Sequence, residues 1–166
     1  MIKKVSSFRK GYTLVELLIF MAMLSILLVI FTQIFSLIVD ARLESESTSI
    51  VAQDGNYLLN RLMYDVARTN TINLPNAVGA TDTTLDITID GVNYVYALNG
   101  TNLQLTVNSS VYQLNSIGTT ISDLTFKRIG NDDGKDTVQL GFTVTSKILE
   151  AGGSEFKSYQ TTAGLR

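Results

Sequence analysis

The chain has 166 residues, a formal net charge of −2, and neither cysteine nor histidine. Those absences exclude thiol nucleophiles, histidine-based triads, disulfide staples and most zinc chemistry. The length suits one domain plus one membrane helix. Residues Met1–Gly11 hold four cations (Lys3, Lys4, Arg9 and Lys10) and no acid. The remainder is acidic, at a formal −6, with no basic patch. Direct nucleic-acid binding is therefore not expected.

The first element is apolar on every side. From Leu17 to Val39 there are 23 residues without a charge; Ser25, Thr32, Gln33 and Ser36 are the polar ones. As a helix this is roughly 35 Å, enough to cross a hydrocarbon core of about 30 Å. A core helix of a soluble domain would show a polar face. Basic residues precede the span and a net acidic segment, Asp40–Glu46, follows it. The positive-inside rule then puts the N-terminus in the cytoplasm and residues 40–166 outside the inner or cytoplasmic membrane. A secretory signal cut after Ala41 is the rival, but its apolar region spans only about 7–15 residues. Glu16 stands at the entrance of the span, where a carboxylate inside hydrocarbon costs about 2.5–3.5 kcal/mol. Either it stays wet at the interface or it has a dedicated partner.

Gly11-Tyr12-Thr13-Leu14-Val15-Glu16, behind a basic leader, resembles the processing site of type IV prepilins. That family has a leader ending in Gly, then an aromatic residue, usually Phe, and a Glu at the fifth mature position. Tyr12 in place of Phe keeps the ring. The resemblance implies that a membrane prepilin peptidase cuts between Gly11 and Tyr12 and methylates the new amine of Tyr12. It also makes Glu16 the assembly residue, paired with that amine within or between subunits. An α-amino group of ordinary pKa, about 7.7–8.0, is largely cationic at neutral pH. Pairing in a low dielectric would offset part of the cost of burying Glu16. The implied fold is α+β and pilin-like, with one long N-terminal helix packed on an antiparallel β-sheet domain. Its parts are a cleaved leader (1–11), a transmembrane and assembly half-helix (12–39), an amphipathic half-helix (40–70) and a β domain (71–166).

The helical pattern continues beyond the span. Val51, Leu58, Leu62 and Val66 form one stripe, while Arg42, Glu44, Glu46, Asn60, Arg61, Asp65 and Arg68 supply the polar side. No proline precedes Pro75, so one nearly continuous helix is expected from about Thr13 to Thr69, roughly 85 Å long. Many major pilins carry a proline within the membrane half; this chain does not. Gly55 is read as a soft point, costing about 1 kcal/mol relative to Ala. The stretch Gln53–Arg68 is similar to the second half of the helix in J-type minor pseudopilins and W-type minor pilins. Those often show Leu-x-x-Asp-x-x-x-Ala; here Leu62 precedes Asp65 and Ala67 comes earlier than in that pattern.

Asn73-Leu74-Pro75-Asn76 is expected to stop the helix. Thr84–Ile89 and Val92–Leu98 flank Asp90-Gly91, a hairpin signal. Asn102–Val107, Val111–Leu114, Thr120–Ile129, Thr137–Ile148 and Glu155–Thr162 follow as strands. Alternation in Leu85-Ile87-Ile89 and Leu103-Leu105-Val107 implies a sheet with one buried face, packed on the helical stripe. The tail Tyr159–Arg166 resembles the end of minor pilins.

Asp132, Asp133 and Asp136 in the loop Gly130–Asp136 are candidate Ca²⁺ ligands. Their spacing is not that of an EF-hand and no bidentate Glu follows, so a polar hairpin turn is the preferred reading. Asn99-Gly100-Thr101 and Asn108-Ser109-Ser110 match the glycosylation pattern but read as turns. Asp86 and Asp90 are the nearest pair of acids to an acid–base couple. Without a cleft, a histidine or a metal set, no enzyme activity and no cofactor are expected.

The expected function is a structural subunit, a minor pilin or pseudopilin of a type IV pilus-like or type II secretion-like fibre. The expected partners are membrane lipid, the peptidase, other pilin subunits and the assembly platform. The expected location is the membrane and then an extracellular or periplasmic fibre, for adhesion or motility among other roles. The alternative is a single-pass, membrane-anchored binding domain that never enters a fibre.

Overall fold

The structure is a computed structural model describing residues 11–130, 134–150 and 152–165. The chain divides into two compact units, residues 1–41 and 42–166. One helix, α1 (Leu14–Ala67, 54 residues), contributes to both.

In the first unit α1 is apolar around its whole circumference. Two of its hydroxyls are absorbed by the helix itself. Ser25 donates to the Met21 carbonyl at 2.8 Å and Thr32 to the Leu28 carbonyl at 2.9 Å. Hydroxyls satisfied in this way can face hydrocarbon without an unpaired donor.

In the second unit α1 buries one stripe: Ser47, Val51, Asp54, Gly55, Leu58, Leu62, Asp65 and Val66. The spacing of three and four residues is that of a helix with one covered face. Val51, Leu58, Leu62 and Val66 are essentially inaccessible, as the sequence pattern requires. The helix ends slightly earlier than expected. Arg68 and Thr69 turn into i→i−3 bonds to Asp65 and Val66, and the Thr69 hydroxyl donates to the Asp65 carbonyl at 2.9 Å. The Asn70 amide then joins the Thr88 carbonyl at 2.9 Å, so the chain passes directly from helix to sheet.

Among the described residues, nine strands form two antiparallel sheets rather than one. The five-stranded sheet has the order β1 (Thr71–Leu74), β3 (Leu85–Ile89), β4 (Val92–Asn99), β5 (Asn102–Val107) and β6 (Ser110–Gln113). The four-stranded sheet has the order β2 (Thr81–Asp82), β7 (Thr119–Ile129), β8 (Thr137–Ser146) and β9 (Phe156–Gly164). Strands β1 and β2 lie in the segment that reads as a helix stop and loop. They are four and two residues long, too short to show a period. The expected hairpins are present. Asp90 (φ 50°) with Gly91 (φ 80°), and Asn108 (φ 48°) with Ser109 (φ 70°), place two left-handed residues at each turn, matching the twist of the flanking strands.

The core is a cluster joining the α1 stripe to both sheets: Leu85, Ile87, Tyr96, Leu103, Ile121, Phe126, Leu140 and Phe142 among others. Strand β8 alternates perfectly between partly buried and buried positions. Strand β7 does not. A bulge between Ser122 and Thr125, with Asp123 at φ 53°, moves burial from Ile121 to Leu124 and Phe126. The extra residue inverts which face each later side chain meets.

Candidate functional site

Gly11, Tyr12 and Thr13 precede the first helical residue, Leu14. Thr13 occupies the N-cap position. Its hydroxyl accepts the Glu16 amide at 3.2 Å, and its carbonyl accepts the Leu17 amide at 3.1 Å. Thr13-Leu14-Val15-Glu16 is thus a Thr-x-x-Glu capping pattern, with the acid at the third helical position. A carboxylate in the first turn also meets the positive end of the helix dipole. Glu16 has a local reason to be tolerated at the mouth of an apolar span. This signal was present in the sequence at Thr13, three residues before the acid.

Gly11 has open space where a Cβ would stand. The Gly11-Tyr12 bond lies in non-helical backbone, with no side chain on its N-terminal side. Tyr12 is the residue just before the cap. Tyr12, Glu16, Leu17 and Phe20 line one groove on the surface of the first turns. Aromatic ring, carboxylate and apolar wall share a single face, one helical turn apart. All four are solvent-accessible in the isolated chain.

The other candidates stand elsewhere. The Asp136 carboxylate is taken by Arg128, with Oδ2 at 2.5 Å from Nη2 and 3.1 Å from Nε. A cation at Asp136 would have to displace that guanidinium, which also donates to the carbonyls of Ile72 and Pro75. Asp132 and Asp133 lie outside the described residues. Among the described residues no three His, Cys, Asp or Glu side chains come together in a metal-holding group. Asp86 accepts from Asn73 at 2.9 Å, whereas Asp90 sits on an exposed turn, 3.7 Å from Arg68. Asn99 and Asn108 both stand at hairpin turns.

Two acids of α1 behave unlike surface residues. Asp65, expected on the polar side, is 1% exposed. It accepts a short hydrogen bond from the Tyr96 hydroxyl and lies 2.8 Å from Arg61 Nε. Burial, and then the bond to Asp65, push the Tyr96 hydroxyl far above its ordinary pKa. Asp54 accepts the Ser116 amide at 2.9 Å and the Thr119 hydroxyl at 2.5 Å, tying α1 to the loop between β6 and β7. Both acids escape a purely periodic reading because each is polar at an apolar register.

Comparison with curated proteins and with solved structures gives no match. A family model does match: the prokaryotic N-terminal methylation motif, over residues 6–32. The matched segment contains the Gly11-Tyr12 junction, the Thr13 cap, Glu16 and the apolar span as far as Thr32. The long N-terminal helix on antiparallel sheets fits a pilin-like architecture. Through residues 6–32 this chain carries the type IV prepilin signature, that of a pilin or pseudopilin precursor.

Proposed function

We propose that the chain is a minor pilin or pseudopilin that a prepilin peptidase cuts between Gly11 and Tyr12 and methylates on Tyr12. It then enters a type IV pilus-like or type II secretion-like fibre through its apolar half-helix. The observation carrying this reading is the methylation motif at residues 6–32, with Glu16 as the one acid of the apolar stretch. The groove shared by Tyr12 and Glu16 supports pairing between the mature amine and the carboxylate. Within a fibre, apolar helix faces pack on one another, and an unpaired Glu16 would be costly there. A pair with the Tyr12 amine of a neighbouring subunit would fix the axial register. The absence of a proline in the membrane half and of disulfides leans towards a minor subunit. We assign no catalytic role and no cofactor: the part is structural, and Asp86 and Asp90 have separate partners.

A plain anchor needs neither the Gly11-Tyr12 junction nor Glu16. The discriminating experiment is Glu16→Ala in cells that make the fibre. The variant should insert and be cleaved normally but be missing from sheared fibres. Normal incorporation would contradict the assembly role.

A further inference from the structure

In the second unit the core face of the five-stranded sheet runs out from under α1. Directly opposed residues on neighbouring strands share a face, so they form rows across the sheet. One row is Leu85, Tyr96, Leu105 and Tyr112, on β3, β4, β5 and β6 in turn. The first three are buried, yet Tyr112 is 56% exposed. The next row is Ile87, Tyr94, Val107 and Ser110. It too passes from buried Ile87, through half-buried Tyr94 and Val107, to exposed Ser110. The cause is width. The helix stands over β4, where Asp65 meets the Tyr96 hydroxyl. A helix is about 10–12 Å across and strands lie about 4.8 Å apart, so β6, two strands further on, falls beyond its edge.

A groove of about 570 Å³ remains between the flank of α1 and this uncovered strip. That volume lies within the range of roughly 300–1,000 Å³ usual for ligand sites. Tyr57 and Arg61, one helical turn apart, form the helix wall, and Tyr94 and Tyr112 stand on the sheet wall. Asn108 and Ser110, from the β5–β6 turn, add an amide and a hydroxyl. Among the described residues lining the groove, Arg61 carries the one charge. Asp65 approaches Arg61 Nε at 2.8 Å, but outside the hydrogen-bonding direction, so this buried N–H has no acceptor among the described residues. The guanidinium is thus fixed in place by an ion pair while keeping donors to offer.

We propose that this groove binds a hexuronate unit of an acidic polysaccharide. The negative face of a tyrosine ring attracts the weakly positive C–H groups on one side of a pyranose. A guanidinium fork matches a carboxylate. The amide and hydroxyl of Asn108 and Ser110 suit ring hydroxyls. A hexuronate carries its apolar face, its carboxylate and its hydroxyls on one rigid ring, so little freedom is lost on binding. An acidic peptide holds its carboxylate on a flexible stem that gives a tyrosine face little to stack on. The proposal goes beyond assembly and uses only the second unit, so it stands or falls apart from processing at Gly11-Tyr12.

Calorimetric titration of the full chain in detergent micelles tests it, with oligomers of galacturonate, oligomers of mannuronate and hyaluronan fragments as probes. At least one should bind, and its methyl ester, which keeps the ring but loses the charge, should bind about 10-fold more weakly. Tyr112→Ala, at an exposed position, should weaken binding about 3- to 10-fold while leaving the unfolding transition in place. Phe156→Ala removes an exposed aromatic from the other sheet and should bind as the native chain does. Arg61→Gln should erase the preference for acid over ester. Should that variant misfold because Asp65 loses its partner, the ester comparison and Tyr112→Ala still decide. No binding of any of the three probes, or equal binding of acid and ester, would overturn the proposal. Equally tight binding of oligoglutamate would overturn it in favour of an acidic peptide. Undiminished binding by Tyr112→Ala would place the sugar outside this groove and overturn it as well.

Discussion

Gly55 lies under the ring of Tyr159, where an added Cβ would stand 2.1 Å from two ring carbons. The same ring stacks on Phe142 at 5.5 Å, and its hydroxyl bonds the Val51 carbonyl at 3.2 Å. The glycine is therefore a contact point between helix and sheet rather than a soft point. Helix propensity alone says Gly55→Ala should stabilise by about 1 kcal/mol. Overpacking at a fixed ring predicts the opposite, a loss of about 1–3 kcal/mol in denaturant unfolding in detergent. The charged residues make a parallel case. Tyr96 and Tyr159 are both held above the ordinary tyrosine pKa by burial, Tyr96 also by Asp65. In the unfolded chain they ionise near pH 10, while in the fold they stay protonated. Their contribution is complete below about pH 10 and is lost as pH rises towards the folded values. Tyr96→Phe should lower stability at pH 7 by about 1.5–3 kcal/mol, since it removes a bond to a buried carboxylate. It should also flatten the fall above pH 10 in an unfolding series. An unchanged alkaline slope would mean that Tyr96 is not the group responsible.

At the scale of elements, the legible parts were those with a long period. The uncharged run and the stripe Val51, Leu58, Leu62, Val66 identify α1, and Asp90-Gly91 and Asn108-Ser109 identify two turns. What escaped was short or out of phase. Strands β1 and β2 are too brief to show alternation, and the bulge at Asp123 inverts the pattern in β7. The division into two sheets depends on long-range pairing that no local window contains. Asp54 and Asp65 escaped for a different reason. Apart from Arg61 beside Asp65, their carboxylates are met by groups 31 to 65 residues away, so their burial is a property of the assembled unit. Asp54 should act as the pin that holds the β6–β7 connection on α1. Asp54→Ala should speed amide exchange at Ser116 and cost about 1–3 kcal/mol through the unpaired donors left behind. Unchanged protection at Ser116 would show that the connection is held by other contacts.

For the whole molecule, the division of labour follows the chemistry of the chain. Residues 17–39 have no surface suited to water, and residues 42–166 close their own core on the other half of the same helix. The motif at residues 6–32 was legible from sequence, because the spacing of Gly11, Tyr12 and Glu16 that carries it is local. The cap at Thr13, which explains how Glu16 is tolerated in the first turn, was also written in the sequence as Thr-x-x-Glu but was recognised only from the bond between the Glu16 amide and the Thr13 hydroxyl. The central claim is that this chain is a precursor cut at Gly11-Tyr12. The most direct test is the mass of the N-terminal peptide of the mature protein, purified from cells that possess a prepilin peptidase. The account predicts a chain beginning with N-methylated Tyr12. An intact Met1, or a start at Arg42 as for a secretory signal, would contradict it.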